Sequence, residues 1–183
     1  MLDPKKTVLT VIAAGIVALA ADANWRNFMS TEHFSVSYPA AWLRIAKSSD
    51  QLQILSSKGG AEGVVIMKGQ AEIVVRAPEA SSGATLAEVT KTYSQGTTVL
   101  SQKEMPTEYE AGACSRLTEI VSKEPVVPQE DSPVPVPFVI NTDFFCEAQG
   151  HKVVVLLRNY EGDIRQQQYQ QIAVHVAKSL RVW

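Results

Sequence analysis

Apolar and polar residues alternate along much of this chain, which is the pattern of a β-strand with one buried face. The clearest alternation runs from residue 33 to residue 38. Segments rich in β-branched residues predict further strands at 52–57, 64–67, 73–76, 98–105, 112–122, 138–148 and 152–158. A two-residue turn at 149–150 then places Glu147 opposite Lys152. The pattern therefore predicts a protein built largely from antiparallel strands.

One internal segment has its apolar residues at helical spacing instead. Thr85 and Glu88 form a capping-box signature at its start, and Gly96 marks its end. The apolar residues between these signals fall on one face of a helix: Leu86, Val89 and Tyr93. The segment therefore predicts a short amphipathic helix.

The C-terminal part of the chain predicts a second helix. Asp163 is its predicted N-cap, with Gln166 three positions on, and the helix is predicted to continue through Arg181. Its apolar stripe consists of Tyr169, Ile172, Ala173, Val176 and Leu180. His175 lies off this stripe, and the glutamines within 166–171 form a polar face, so both are predicted to be exposed to solvent.

The N-terminus predicts the compartment in which the protein acts. Lys5 and Lys6 precede the uncharged run 7–21, and small residues follow it, which is typical of a secretory signal peptide over residues 1–23. An uncleaved membrane anchor is the alternative, although the run is shorter than the roughly 20 residues that span a bilayer. Residues 24–31 are predicted to be a short linker, and residues 32–183 one domain.

Composition limits the classes of function. The chain has 183 residues, 45% of them hydrophobic and 20% charged, and a formal net charge of −2. These values are ordinary for a single globular domain. Because no basic patch is present, nucleic acid is not an expected partner.

The two cysteines, Cys114 and Cys146, are predicted to form a disulfide. An oxidising compartment outside the cytoplasm permits the bond. If 112–122 and 138–148 are the arms of one long hairpin, its midpoint lies near residues 130–131, and the two cysteines are then nearly equidistant from it and face each other. The alternative is a pair of buried free thiols. No CxxC spacing is present, which argues against a redox role.

The segment between these arms, residues 124–137, is rich in proline. Its prolines cannot donate backbone hydrogen bonds to a sheet: Pro125, Pro128, Pro133, Pro135 and Pro137. We therefore expect an exposed, partly extended arm. It is either a partner-binding loop, since proline-rich segments lose little entropy on docking, or a solvated connection that covers sheet edges.

No catalytic, cofactor-binding or metal-binding motif is present. The chain lacks GxSxG, GxxxxGK[ST], GxGxxG and HExxH. His33, His151 and His175 do not have the spacing of a closed zinc site. Asp143 is predicted to face solvent from its strand, with a partly buried carboxyl of raised pKa as the alternative. We therefore expect no enzymatic activity and no cofactor.

The order of these elements resembles the PsbP-like superfamily. The resemblance covers residues 32–183 and rests on a strand that ends in Tyr38-Pro39 with Trp42 after it, the helix "TLAEVTKTY", and "HKVVVLLRNYEGD" leading to a final "AKSLRVW". It implies an α+β fold, an α/β/α sandwich with a central antiparallel sheet flanked by helices, and a role in protein binding without catalysis. The superfamily has no shared catalytic motif, so it assigns no active-site residue.

These observations predict a non-enzymatic accessory or binding protein of bacterial type, periplasmic or secreted. Its partner is expected to be another protein or a component of the cell envelope. The alternatives are an extracytoplasmic hydrolase whose site is not visible in linear sequence, and a module tethered to the membrane by an uncleaved N-terminal segment.

Overall fold

The computed structural model describes residues 24–45, 48–56, 66, 69–78, 83–107, 111–125 and 138–183. Within these ranges the strands are β1 (Trp25–Met29), β2 (Phe34–Pro39), β3 (Leu43–Arg44), β4 (Leu52–Leu55), β5 (Ala71–Arg76), β6 (Thr98–Glu104), β7 (Arg116–Pro125), β8 (Phe138–Ala148), β9 (His151–Tyr160) and β10 (Arg181–Val182). The helices are α1 (Leu86–Tyr93) and α2 (Gln166–Lys178).

The described strands form two antiparallel sheets. The larger has the order β3-β4-β5-β9-β8-β7-β6, and the smaller has the order β1-β2-β10. Successive residues of a strand point to opposite faces, so Phe145 and Val154 share an apolar cluster with α1, while Phe144 and Val155 share one with α2. Helices therefore flank both faces of the large sheet, which confirms the predicted α+β fold with a central antiparallel sheet.

Most of the predicted strands are present with small shifts at their ends. The hairpin of β8 and β9 has Glu147 opposite Lys152, as predicted. The strand predicted at 112–122 begins instead at Arg116 and continues to Pro125. The strand predicted at 64–67 lies outside the described residues except for Ile66, and so does the whole predicted signal peptide, 1–23.

Helix α1 begins with the capping box that the sequence predicts. The Thr85 hydroxyl accepts a hydrogen bond from the Glu88 backbone N–H, and the Glu88 carboxylate accepts one from the Thr85 backbone N–H at 2.7 Å. These backbone and side-chain hydrogen bonds from Thr85 lower the pKa of Glu88. The capping box therefore gives hydrogen-bond acceptors to two backbone N–H groups that would otherwise be unpaired at the start of the helix.

Substitution of Thr85 by alanine is expected to reduce the free energy of unfolding by about 1 kcal/mol, because one end of the capping box is lost. Urea unfolding followed by circular dichroism measures this change. Thr92→Ala is the matched control, since Thr92 is exposed on the same short helix and does not cap it. Equal destabilisation by the two substitutions would contradict the capping role.

The second helix differs from its prediction at both ends. It begins at Gln166 after Arg165, and Asp163 does not cap it; the Asp163 carboxylate instead accepts a hydrogen bond from the Arg165 backbone N–H at 2.8 Å in the preceding turn. The helix stops at Lys178, and the next residues leave it to form β10. The predicted continuation through Arg181 is wrong because pairing with β2 draws the end of the chain into the small sheet.

The segment predicted as a linker, 24–31, contains β1, so that prediction is also corrected. β1 pairs with β2 from Trp25 to Met29, and Phe28 is buried. The Trp25 ring stacks on His175 with ring centroids 3.9 Å apart. His175 is exposed, as predicted, but this packing partly desolvates its imidazole and lowers its pKa.

Neither helix in the described part of the chain has the length and hydropathy that a bilayer-spanning helix requires.

Candidate functional site

The disulfide predicted between Cys114 and Cys146 is present, with their Cα atoms 5.4 Å apart. Both side chains are buried. The bond ties the turn ahead of β7 to the C-terminal part of β8. Gly112 in that turn accepts a hydrogen bond from the Val182 backbone N–H at 2.8 Å, so the same turn also holds β10. A side chain at Gly112 would meet the Val182 carbonyl at 2.9 Å, which favours glycine there.

The register that suggested this disulfide is wrong, although the bond itself is confirmed. Leu117, and not Cys114, lies opposite Cys146. The midpoint of the hairpin lies later than predicted because β7 continues through Glu124 to Pro125, which pairs with Phe138. Cys114 therefore precedes the strand and reaches Cys146 from the adjacent turn.

The proline-rich segment begins later than predicted. Glu124 and Pro125 belong to β7, and Pro125 is exposed at the end of that strand. β6 reaches only as far as Lys123 of β7, so the missing N–H of Pro125 interrupts no pairing between these strands. The other four prolines lie outside the described residues: Pro128, Pro133, Pro135 and Pro137.

Asp143 is buried, which corrects the prediction that it faces solvent. Only 7% of its surface is exposed. Burial raises its pKa to about 7, the nearby positive charge of Arg158 opposes the rise, and the negative charge of Glu124 adds to it. Its position directly before two phenylalanines signalled an apolar setting, but the pattern did not show which face of β8 is covered. The carboxyl therefore holds or releases a proton near neutral pH.

A row of polar side chains crosses four neighbouring strands beside Asp143. Ser122, Asn141, Arg158 and Glu72 occupy successive opposite positions on β7, β8, β9 and β5, and we call them the polar row. Arg158 donates a hydrogen bond of 2.6 Å to Glu124. Three of these side chains are buried: Ser122, Asn141 and Glu72. A shift of register by one residue would move them to the opposite face of the sheet, which is apolar. The row therefore helps to fix the strand register.

A groove of about 780 Å³ lies between α1 and the strands β6 and β7. Ile120 and neighbouring side chains make part of its lining apolar. Lys91, Arg116 and Lys152 add positive charge, and Glu147 adds a carboxylate. The lining of the groove is therefore partly apolar and partly charged.

The groove borders an edge of the large sheet that no other described strand covers. β6 is the last strand in the sheet order, and all seven of its residues are exposed. Val99 and Leu100 are 47% and 53% exposed, which is unusual for two adjacent large apolar side chains on an edge. A register shift lies between Val99 and Ser101. At the opposite edge, β3 is only two residues long.

Among the described residues, no group of three or more His, Cys, Asp or Glu side chains is arranged to hold a metal ion. The structure brings His33 and His151 together, with ring centroids 6.3 Å apart, although they are 118 positions apart in sequence. Sequence spacing carried no signal of this contact.

No protein-family model matches the sequence, and no curated protein sequence matches it. The chain is similar in structure to the Ran-binding protein Mog1p of Saccharomyces cerevisiae, at 12% identity and a TM-score of 0.48, covering 88% of this chain and 96% of that one. It is also similar to a Pseudomonas aeruginosa protein of unknown function, at 13% identity and a TM-score of 0.43, covering 81% and 92%. A third similar structure is a cyanobacterial PsbP from Synechocystis, at 13% identity and a TM-score of 0.42, covering 88% and 94%. Solved structures similar to this chain thus include a PsbP and Mog1p, while membership of the PsbP-like superfamily stays a prediction.

Proposed function

We propose that this chain is a non-enzymatic binding protein that acts outside the cytoplasm and recognises another protein. Its signal-peptide-like N-terminus supports export. The buried Cys114–Cys146 disulfide fits an oxidising compartment. Within the PsbP-like superfamily that the sequence resembles, this chain would be an exported bacterial member.

The single observation that carries the proposal is the sheet edge at β6, which no other strand of the described residues covers. An edge strand presents unpaired backbone N–H and C=O groups, and an extended peptide can add to it as a further strand. Val99 and Leu100 supply apolar surface there, and the adjacent groove offers Lys91 and Lys152 beside an apolar lining. We therefore expect the partner to present an extended segment with apolar and acidic side chains.

Site-specific photocrosslinking tests this proposal. A photoreactive amino acid at Leu100 is expected to capture a discrete partner from the native cell envelope. The matched control places the same group at Ile164, which is 97% exposed but lies in the turn before α2. The same adducts from both positions would contradict binding at β6.

The substitution Leu100→Lys is expected to reduce partner capture at least about tenfold, because lysine on an edge strand opposes the addition of another strand and removes apolar contact area. Affinity capture with the purified variant and quantitative mass spectrometry measure the loss. Ile164→Lys is the control for added charge at an exposed apolar position and is expected to retain the partner. Unchanged capture by Leu100→Lys would refute the proposed surface.

The proline-rich segment is proposed as a second contact with the same partner. A variant shortened within 126–136 separates the two roles that its composition allows. Weaker capture would support a binding loop, and equal capture would make the segment a connection between β7 and β8.

A further inference from the structure

We propose that His33 and His151 form a two-histidine binding site for a transition-metal cation, Cu²⁺, Ni²⁺ or Zn²⁺, at the junction of the two sheets. This inference is independent of the proposed partner-binding surface, because neither histidine lines the groove beside β6. It rests on the geometry of the two rings and on the way the fold holds their backbones.

The two rings are close and accessible. Their centroids are 6.3 Å apart, and their planes meet at 53°. Both residues are exposed. Among the described residues, neither imidazole has a hydrogen-bond or ion-pair partner, so ring nitrogens of both are free to take a ligand. Neutral imidazole is a preferred ligand of copper, nickel and zinc.

The separation matches two imidazoles on one ion. A metal–nitrogen bond of about 2.0–2.1 Å places each ring centre about 3.2 Å from the ion. Two rings on opposite sides of a square-planar ion are then about 6.4 Å apart, and two rings on a tetrahedral ion about 5.2 Å apart. The observed 6.3 Å matches the trans square-planar separation, which requires one nitrogen of each ring to face the ion between them. Zn²⁺ needs a small rotation of one exposed ring to reach the tetrahedral arrangement.

The backbones that carry the rings are fixed by the fold. His33 lies in the turn ahead of β2 with a φ of 60°, and its carbonyl accepts a hydrogen bond from the Trp183 backbone N–H at 3.0 Å. His151 begins β9 and pairs with Ala148 across the tight hairpin turn. Because the fold orders both backbones before the ion binds, the protein loses little conformational entropy on binding. Only the two imidazole side chains need to become ordered.

The rest of the coordination sphere is expected to be water. Within the described ranges no third His, Cys, Asp or Glu joins the pair to make a closed site. Two protein ligands and bound water give a weaker site than a four-ligand zinc centre. Affinity should follow the usual order for nitrogen ligands, with Cu²⁺ bound more tightly than Ni²⁺ or Zn²⁺.

A bound ion would link the two sheets. His33 precedes a strand of the small sheet, whereas His151 belongs to the large sheet. An ion that binds only the folded arrangement raises thermal stability in proportion to the logarithm of its concentration above the dissociation constant. Reversible binding of the ion is therefore expected to stabilise the contact between the two sheets.

The test uses full-length protein without a histidine tag and compares His33→Asn, His151→Gln and His175→Gln. Asparagine tolerates the left-handed backbone of residue 33, and His175, the third histidine of the chain, is the matched control outside the pair. Cu²⁺, Ni²⁺ and Zn²⁺ are titrated separately by isothermal calorimetry. Electron paramagnetic resonance of one equivalent of Cu²⁺ reports nitrogen coordination, and melting curves without metal verify that each variant is folded.

The wild type and His175→Gln are expected to bind one ion with coupling to imidazole nitrogens and to melt at a higher temperature with metal. Each pair variant is expected to bind at least about tenfold more weakly. Binding to all four proteins with equal affinity, or no binding to the wild type, would overturn the inference. Loss in His151→Gln alone would also overturn it, because both rings are required.

Discussion

Substitution of Asp143 by asparagine is expected to stabilise the protein at pH 8 and to have little effect below pH 3.8. Burial raises the pKa of this carboxyl from 3.8 to about 7, so the folded state binds its proton more tightly than the unfolded state. Protonated Asp143 therefore contributes up to about 4 kcal/mol of stability below pH 3.8, and this contribution is lost as pH rises to about 7. The asparagine side chain does not ionise, so the variant does not lose this stability as pH rises.

Urea unfolding of the wild type and Asp143→Asn at several pH values between 3.5 and 8 measures the effect. The difference between their free energies of unfolding is expected to grow across this range and to level off above pH 7. Asp50→Asn serves as the control, because Asp50 is an exposed aspartate of the described chain. Parallel pH curves for the wild type and Asp143→Asn would show that Asp143 does not hold a proton in the folded protein.

Removal of the disulfide with Cys114→Ala/Cys146→Ala is expected to reduce the free energy of unfolding by about 3–4 kcal/mol. The bond closes a loop between positions 32 apart in sequence, and without it the unfolded chain gains the corresponding conformational freedom. Loss of the bond also frees the turn that contains Gly112 and contacts β10. Denaturant unfolding with fluorescence detection measures the change.

Reduction of the wild type should shift its unfolding midpoint in the same direction as the double substitution. The same reductant should leave the double variant unchanged, which separates loss of the disulfide from other effects of the reagent. An oxidised wild type that unfolds at the same denaturant concentration as its reduced form would contradict a stabilising role for the bond.

The two substitutions probe different parts of the sheet. Asp143 lies on the face that α1 partly covers, near Ile120 and Phe145. Cys146 lies on the opposite face, in the cluster that contains α2. Because the sites lie on opposite faces, we expect their effects on stability to add. A combined variant with a markedly non-additive effect would indicate that loss of the disulfide also disturbs the polar row.

The groove and the edge at β6 are expected to stay accessible in both variants, since neither Asp143 nor the cysteines line that groove. Partner capture at Leu100 is therefore expected to survive either change while the protein stays folded.

The sequence alone determined the features that depend on neighbouring residues. The capping box of Thr85 and Glu88, the apolar face of α1 and the hairpin from β8 to β9 all follow from contacts within a few positions of the chain. Local propensity and turn chemistry decide such elements before any long-range contact forms. The α+β fold class was predicted from the strand and helix patterns, whereas the cysteine pair was predicted from a hairpin register that the structure corrects.

Only the tertiary structure decided the features that depend on distant pairing. Phe34 draws Val182 into β10 and ends the C-terminal helix early, and the short segment from Trp25 becomes a strand because β2 supplies its partner. Asp143 is buried, and His33 meets His151, because the fold brings together parts of the chain far apart in sequence. Alternation shows that a strand has two different faces, but only packing determines which face is covered and what lies opposite it.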